Sequence, residues 1–97
     1  MANQPDLTEL RQTIEAIDSE LLALLARRLE VVVPIAEAKL EAASPFRDSL
    51  REGIVFSRVR DLARGHGLDP HRAEALYRLL LEWSVARQQE HVRQRET

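Results

Sequence analysis

The fold is decided by residues 7–40, which read LTELRQTIEAIDSELLALLARRLEVVVPIAEAKL. Apolar residues recur there at alternating steps of three and four, beginning with Leu7, Leu10, Ile14, Ile17, Leu21 and Leu24. This spacing is typical of one face of an α-helix. Continued by the same rule, the stripe meets Arg28. An unpaired buried charge costs several kcal/mol, so we expect the Arg28 guanidinium to meet an anion on this face.

The same stretch contains Pro34, which removes one backbone hydrogen bond and clashes with the preceding turn. Ile35, Ala38 and Lys39 keep the helical phase beyond it. We therefore predict a kink near residues 30–34 within one long helix, rather than a break.

Two further helices are predicted after residues 42–45, Ala-Ala-Ser-Pro. The second starts after a cap at Asp48 or Ser49 and stops at residues 65–67, Gly-His-Gly. Its apolar positions are Leu50, Ile54, Val55, Val59 and Leu62. The third follows the cap and first-turn proline of Asp69-Pro70 and ends near Val92. No strand signal is present, so the fold class is all-α with three helices and a long first helix.

Length and composition narrow the functional classes. Ninety-seven residues predict a single domain covering 1–97, with 1–6 and about 93–97 flexible. Cysteine is absent and the first residues lack the apolar core of a signal peptide, so we expect a cytoplasmic protein. The net charge of −2 argues against nucleic-acid or anionic-membrane partners. A chain this short has a small core, and oligomerisation is the usual remedy.

Three cations on the first helix are candidates for a ligand site. Lys39 is the only lysine among 14 basic residues. Arg28 and Lys39 are eleven residues apart, which in an ideal helix is about 16 Å and within roughly 20° of the same face. Together they could bracket a small dianion. Arg11 lies roughly 25 Å from Arg28 and about 100° around the helix, so it reaches that ligand only from a second, antiparallel chain.

Polar residues on the other two helices complete the candidate set. Ser84 and Gln88 continue the apolar stripe of the third helix, which places hydrogen-bonding groups on a face predicted to be buried. Asp48 and either Arg51 or Glu52 share a face at the start of the second helix. No metal-ligand spacing of histidines, phosphate loop or nucleophile motif is present. Such a set suits clamping a carboxylate-rich ligand and stabilising charge.

These residues closely resemble the all-α chorismate mutases of the free-standing bacterial type. The matching patterns are L-x-x-L-R-x-x-I-x-x-I-D, L-L-x-L-L-x-x-R, I-x-x-A-K, P-x-R-D-x-x-R-E, G-L-D and S-x-x-x-Q, spanning Leu7 to about Gln89. The resemblance implies an intertwined homodimer whose long first helices pair. It also implies the rearrangement of chorismate to prephenate without cofactor, metal or covalent intermediate.

The resemblance assigns a role to each candidate residue. Arg28 and Arg11 of the partner chain would bind the two substrate carboxylates, with Ser84 assisting at the ring carboxylate. Lys39 and Gln88 would donate to the ether oxygen as the C–O bond breaks. Glu52, with Asp48 and Arg51 nearby, would receive the ring hydroxyl.

Three alternatives stay open from sequence. A sister mutase acting on 4-amino-4-deoxychorismate would present an ammonium, which suits Asp48 and Glu52 equally well. An isochorismate pyruvate lyase shares the scaffold, although the acids at these positions favour the mutase pattern. A non-catalytic helical dimerisation module is the alternative from a different class.

Overall fold

The computed structural model describes residues 4–96, which form three α-helices and no strand. They are α1 (Leu7–Glu41), α2 (Ser49–Gly65) and α3 (Pro70–Glu96). The predicted all-α class and long first helix are confirmed. Helix α1 continues through Pro34, so the proline does not break it.

Local sequence signals fix the helix ends. Asp6 and Glu9 form a reciprocal capping box, in which each side chain accepts from the other residue's backbone N–H. Asp48 caps α2 and Asp69 caps α3, each accepting from two backbone N–H groups of the first turn. Gly67 ends α2 with a φ of 71°. The predicted caps and the glycine stop are confirmed.

Residues up to Val31 form one unit of the chain, consisting of the first part of α1. No residue between 4 and 31 is buried. The apolar stripe is about half exposed at every position: Leu7, Leu10, Ile14, Ile17, Leu21, Leu24 and Val31. This unit therefore has no hydrophobic core of its own.

The second unit comprises Val32 onward and holds the core. Its buried apolar residues are Val32, Ala36, Phe56, Val59, Ala63 and Val85. Helices α2 and α3 run antiparallel, because Arg47, just before α2, contacts Glu82 while Arg60, in the second half of α2, contacts Glu74. The Arg78 guanidinium lies 4.3 Å from the centroid of the Phe56 ring and covers the core between the two helices.

One sequence expectation needs correction, and two apolar positions of α2 face solvent. Leu50 is 83% exposed and Ile54 58%. Leu50 is nine residues from Val59, which is about 180° around the helix and so faces away from α3. Helix α3 ends four residues beyond the predicted Val92. Residues 93–96 contain no helix breaker, and Arg95 is held by Glu37 of α1.

The flexibility predicted for 1–6 and about 93–97 stays a prediction, and residues 1–3 and 97 lie outside the described part of the chain. No helix within residues 4–96 is long and apolar enough to cross a membrane.

Candidate functional site

Lys39 is positioned by the connection between α1 and α2. Its ammonium Nζ donates to the backbone carbonyl of Phe46 at 2.9 Å, and its side chain is half-buried. The turn that starts this connection puts Ala43 in the left-handed region, with φ 52°, and closes with Ser44 N–H donating to the Lys39 carbonyl at 2.8 Å. The single lysine is therefore tied at both its backbone and its side chain.

The first turn of α2 carries the acidic candidates. Asp48 Oδ1 accepts from the backbone N–H of Leu50 at 3.1 Å and of Arg51 at 3.2 Å, so this carboxylate is engaged as a helix cap. The Arg51 side chain is exposed, whereas Glu52 is half-buried. Glu52 N–H donates to the Asp48 carbonyl at 2.9 Å, which fixes the spacing of the two acids.

The Arg47 side chain links Glu52 of α2 to Glu82 of α3. Its Nε and Nη2 donate to the two carboxylate oxygens of Glu52 at 3.3 and 3.0 Å. Its Nη1 donates to Glu82 at 2.7 Å. The adjacent guanidinium lowers the pKa of Glu52, so this carboxylate stays ionised at neutral pH. Sequence reasoning assigned Arg47 no role, although it lies within the quoted P-x-R-D motif.

Ser84 and Gln88 lie one turn apart on α3 and are buried, with 5% and 4% exposure. Their predicted burial is confirmed. Ser84 Oγ donates to the Leu80 carbonyl at 2.9 Å, so it must rotate to donate to a ligand. Gln88 Oε1 is buried and accepts no hydrogen bond from the described residues. A buried amide oxygen without a donor is uncommon in native proteins and indicates a site that binds something.

A chain of contacts links three of the predicted residues, Lys39, Asp48 and Glu52, within the second unit. Lys39 is bound to Phe46, the neighbour of Arg47, and Arg47 spans Glu52 and Glu82. Asp48 and Glu52 share the first turn of α2, with the Glu52 N–H donating to the Asp48 carbonyl.

The two arginine candidates of α1 belong to the first unit. Arg11 is exposed, and Arg28 is half-buried and interacts with other groups of the protein. Their predicted part in a ligand site stays a prediction.

Other features of residues 4–96 offer less chemistry. A cavity of ≈200 Å³ lies between the end of α2 and the start of α3 and is largely apolar, with His66 and Tyr77 among its lining residues. No cluster of His, Asp and Glu in this range is arranged to hold a metal ion. The Lys39, Glu52, Ser84 and Gln88 set therefore combines a cation, an ionised acceptor and neutral donors. Such a set can bind a polar anion and stabilise developing negative charge.

Comparison with known proteins identifies the family of the chain. The family model described as "Chorismate mutase type II" matches residues 10–89. The chain is 42% identical over 89 residues to the bifunctional chorismate mutase/prephenate dehydratase of Escherichia coli K12, covering 92% of this chain and 23% of that protein. It is 30% identical over 86 residues to the chorismate mutase of Methanocaldococcus jannaschii, covering 89% and 87% respectively. The chain thus spans about a quarter of the bifunctional relatives and most of the M. jannaschii protein.

Proposed function

The chain belongs to the type II chorismate mutase family, and we propose from this premise that it catalyses the rearrangement of chorismate to prephenate. The observation that carries the proposal is that Lys39 presents a tethered ammonium and Gln88 a buried amide, both of which carry N–H donors. In the reaction a C–O bond breaks and a C–C bond forms within one molecule. No group is transferred to the protein, so binding geometry and electrostatics supply the rate enhancement.

Lys39 and Gln88 act at the ether oxygen. Negative charge develops there as the C–O bond lengthens, and both residues offer N–H donors. The Gln88 donor comes from a buried position, where little solvent screens its dipole. The contact of Lys39 with the Phe46 carbonyl limits the conformations of its side chain before substrate arrives. These donors stabilise the transition state more than the ground state.

The α2 residues recognise the ring. Glu52 is ionised and accepts a hydrogen bond from the ring hydroxyl, while Asp48 keeps the first turn of α2 in place as its cap. The exposed Arg51 adds positive charge at the entrance. Ser84 assists Arg28 at the ring carboxylate after its hydroxyl rotates away from Leu80.

A second copy of the chain completes the site. The apolar face of residues 7–31 is exposed along its whole length, and burying such a surface is the main driving force for association. Antiparallel pairing of two α1 helices would cover this face in an intertwined homodimer. The same pairing brings Arg11 of one protomer towards Arg28 of the other, and the two guanidinium groups bind the substrate carboxylates.

The activity is tested by following the ultraviolet absorbance of chorismate and the formation of prephenate with purified protein. We expect turnover without added metal or cofactor. Arg28→Ala should reduce kcat/KM by about 100-fold, whereas the matched variant Arg27→Ala, altered at the exposed neighbour, should retain it. An unchanged chorismate signal at micromolar protein would overturn the proposal.

Cytoplasmic location and the lack of nucleic-acid or membrane partners remain parts of this proposal. Cell fractionation with an antibody against the chain tests the location.

A further inference from the structure

We infer that Arg47 determines which substituent the enzyme accepts on the substrate ring. It favours a neutral hydroxyl over an ammonium because its positive charge compensates the negative charge of the Glu52 carboxylate. The inference rests on the proposed function, because it concerns the group that Glu52 receives. Arg47 does not touch the reacting atoms and acts through Glu52, so it is a positioning and specificity residue.

The contact geometry supports this assignment. Arg47 uses Nε and Nη2 together, one on each carboxylate oxygen of Glu52, at 3.3 and 3.0 Å. This two-point pairing matches the planar guanidinium to the planar carboxylate and fixes the orientation of both. Each Glu52 oxygen keeps a lone pair for a further donor. The carboxylate can therefore still accept from a ring substituent while it is paired.

Glu82 holds Arg47 in this position from the side of α3. It accepts from Nη1 at 2.7 Å, so the guanidinium is held between two helices. The Glu82 side chain is 62% exposed, and water screens its charge. The Glu52 side chain is only 20% exposed, which makes its own pairing with Arg47 the stronger one electrostatically.

The charges around Glu52 decide between the two substituents. Arg47 and the backbone of Asp48 favour the ionised carboxylate, whereas burial and the charge of Asp48 oppose it. The Lys39 ammonium is held at the Phe46 carbonyl. An ammonium bound to Glu52 would lie close to the Arg47 guanidinium and be repelled. A hydroxyl donates the same hydrogen bond without that repulsion. An unpaired glutamate would instead favour the ammonium.

The test compares kcat/KM on chorismate and on 4-amino-4-deoxychorismate for the unmodified protein and for Arg47→Gln. The parent should prefer chorismate. Arg47→Gln keeps a hydrogen-bond donor but removes the charge, and should raise the ratio of amino to hydroxyl kcat/KM by about tenfold. The acid limb of its pH profile on chorismate should also move to higher pH, because the pKa of Glu52 is no longer lowered by Arg47.

Two controls separate specificity from a merely structural role. Arg47→Lys restores the charge and should keep the ratio within about threefold of the parent. Glu82→Gln removes the charge from the link to α3 but leaves the Arg47–Glu52 pair, and should leave the ratio unchanged. An unchanged ratio in Arg47→Gln, or an equal change in Glu82→Gln, overturns the inference.

The parent protein provides a test that needs no variant to fold. A kcat/KM on the amino substrate equal to or above that on chorismate overturns the inference by itself. Turnover of neither substrate by the parent would instead overturn the proposed function.

Discussion

Glu37 of α1 accepts a hydrogen bond from the ring of His91 on α3, with 2.7 Å between Oε1 and Nε2. An ionised carboxylate has no proton to donate, so Nε2 of His91 carries the hydrogen. Arg95, one turn further along α3, donates to the other carboxylate oxygen of Glu37. Glu37, two residues before Lys39 on α1, thus binds two basic side chains of α3.

This arrangement predicts an acid-sensitive contribution to stability. The hydrogen bond from His91 and the charge of Arg95 lower the pKa of Glu37 below its ordinary value. A carboxyl group whose pKa is lowered in the folded state stabilises that state above its unfolded pKa, and the contribution is lost as pH falls through the folded pKa. Glu37→Gln should therefore be less stable than the parent at neutral pH and equally stable in acid.

Urea denaturation from neutral to acidic pH, at one protein concentration, measures this effect. Glu20→Gln is the matched control, because Glu20 is an exposed glutamate in the middle of α1. A stability difference between Glu37→Gln and the parent that did not vary with pH would contradict the prediction.

A second prediction concerns the turn after α1. Ala43 has φ 52°, in the left-handed region where a side chain costs about 1–2 kcal/mol. Ala43→Gly should raise the free energy of unfolding by about 0.5–1 kcal/mol, allowing for the greater freedom of glycine in the unfolded chain. Gly67→Ala makes the opposite change at φ 71° and should destabilise the protein by about 1 kcal/mol. Chemical denaturation tests both, and a loss of stability in Ala43→Gly would contradict the first.

The burial of two polar residues could be predicted from the helical pattern. Ser84 and Gln88 stood out because they interrupt an apolar stripe, and both are buried. The helix ends could also be predicted, since the caps and the glycine stop act locally through one or two hydrogen bonds.

The sequence does not decide which apolar residues of α2 are buried. Leu50 and Ile54 are apolar but exposed, because burial depends on which side of α2 meets α3. Periodicity gives the faces of one helix and not its neighbour. Arg47 was missed because its role arises from two partners, Glu52 and the distant Glu82. The Glu37–His91 pair joins residues 54 positions apart, and no local signal marks it.

A third prediction uses the under-bonded amide of Gln88. A buried oxygen without a donor costs about 1–3 kcal/mol, so Gln88 opposes folding, a cost that its proposed role in the reaction would explain. Gln88→Met keeps most of the volume and removes the polar atoms. We expect it to stabilise the ligand-free protein by about 1 kcal/mol and to reduce kcat by about 100-fold.

Denaturation and steady-state kinetics on the same preparation test this trade-off. Gln89→Met alters the exposed neighbour and should change neither property appreciably. Loss of both stability and activity in Gln88→Met would indicate that the amide is a structural group rather than a ligand-binding one.

The last prediction tests whether two chains share each site. Arg11→Ala and Arg28→Ala should each retain only about 1% of the parent activity. Refolded together in equal amounts, they form heterodimers in about half of the dimers, and each heterodimer has one intact site of two if Arg11 acts across the interface. The mixture should therefore recover about a quarter of the parent activity, whereas sites built within single chains would recover none.

A second mixture also distinguishes sites shared between two chains from sites built within single chains, but here the shared arrangement gives the lower activity. The double variant Arg11→Ala/Arg28→Ala is refolded with an equal amount of the parent chain. With shared sites, every site of the heterodimer lacks one arginine, and only parent homodimers work, giving about a quarter of the activity. With sites built within single chains, every parent protomer stays active and about half remains. About a quarter of the parent activity in both mixtures supports the shared site. No activity in the mixture of single variants, together with half of the activity in the mixture of double variant and parent, excludes it.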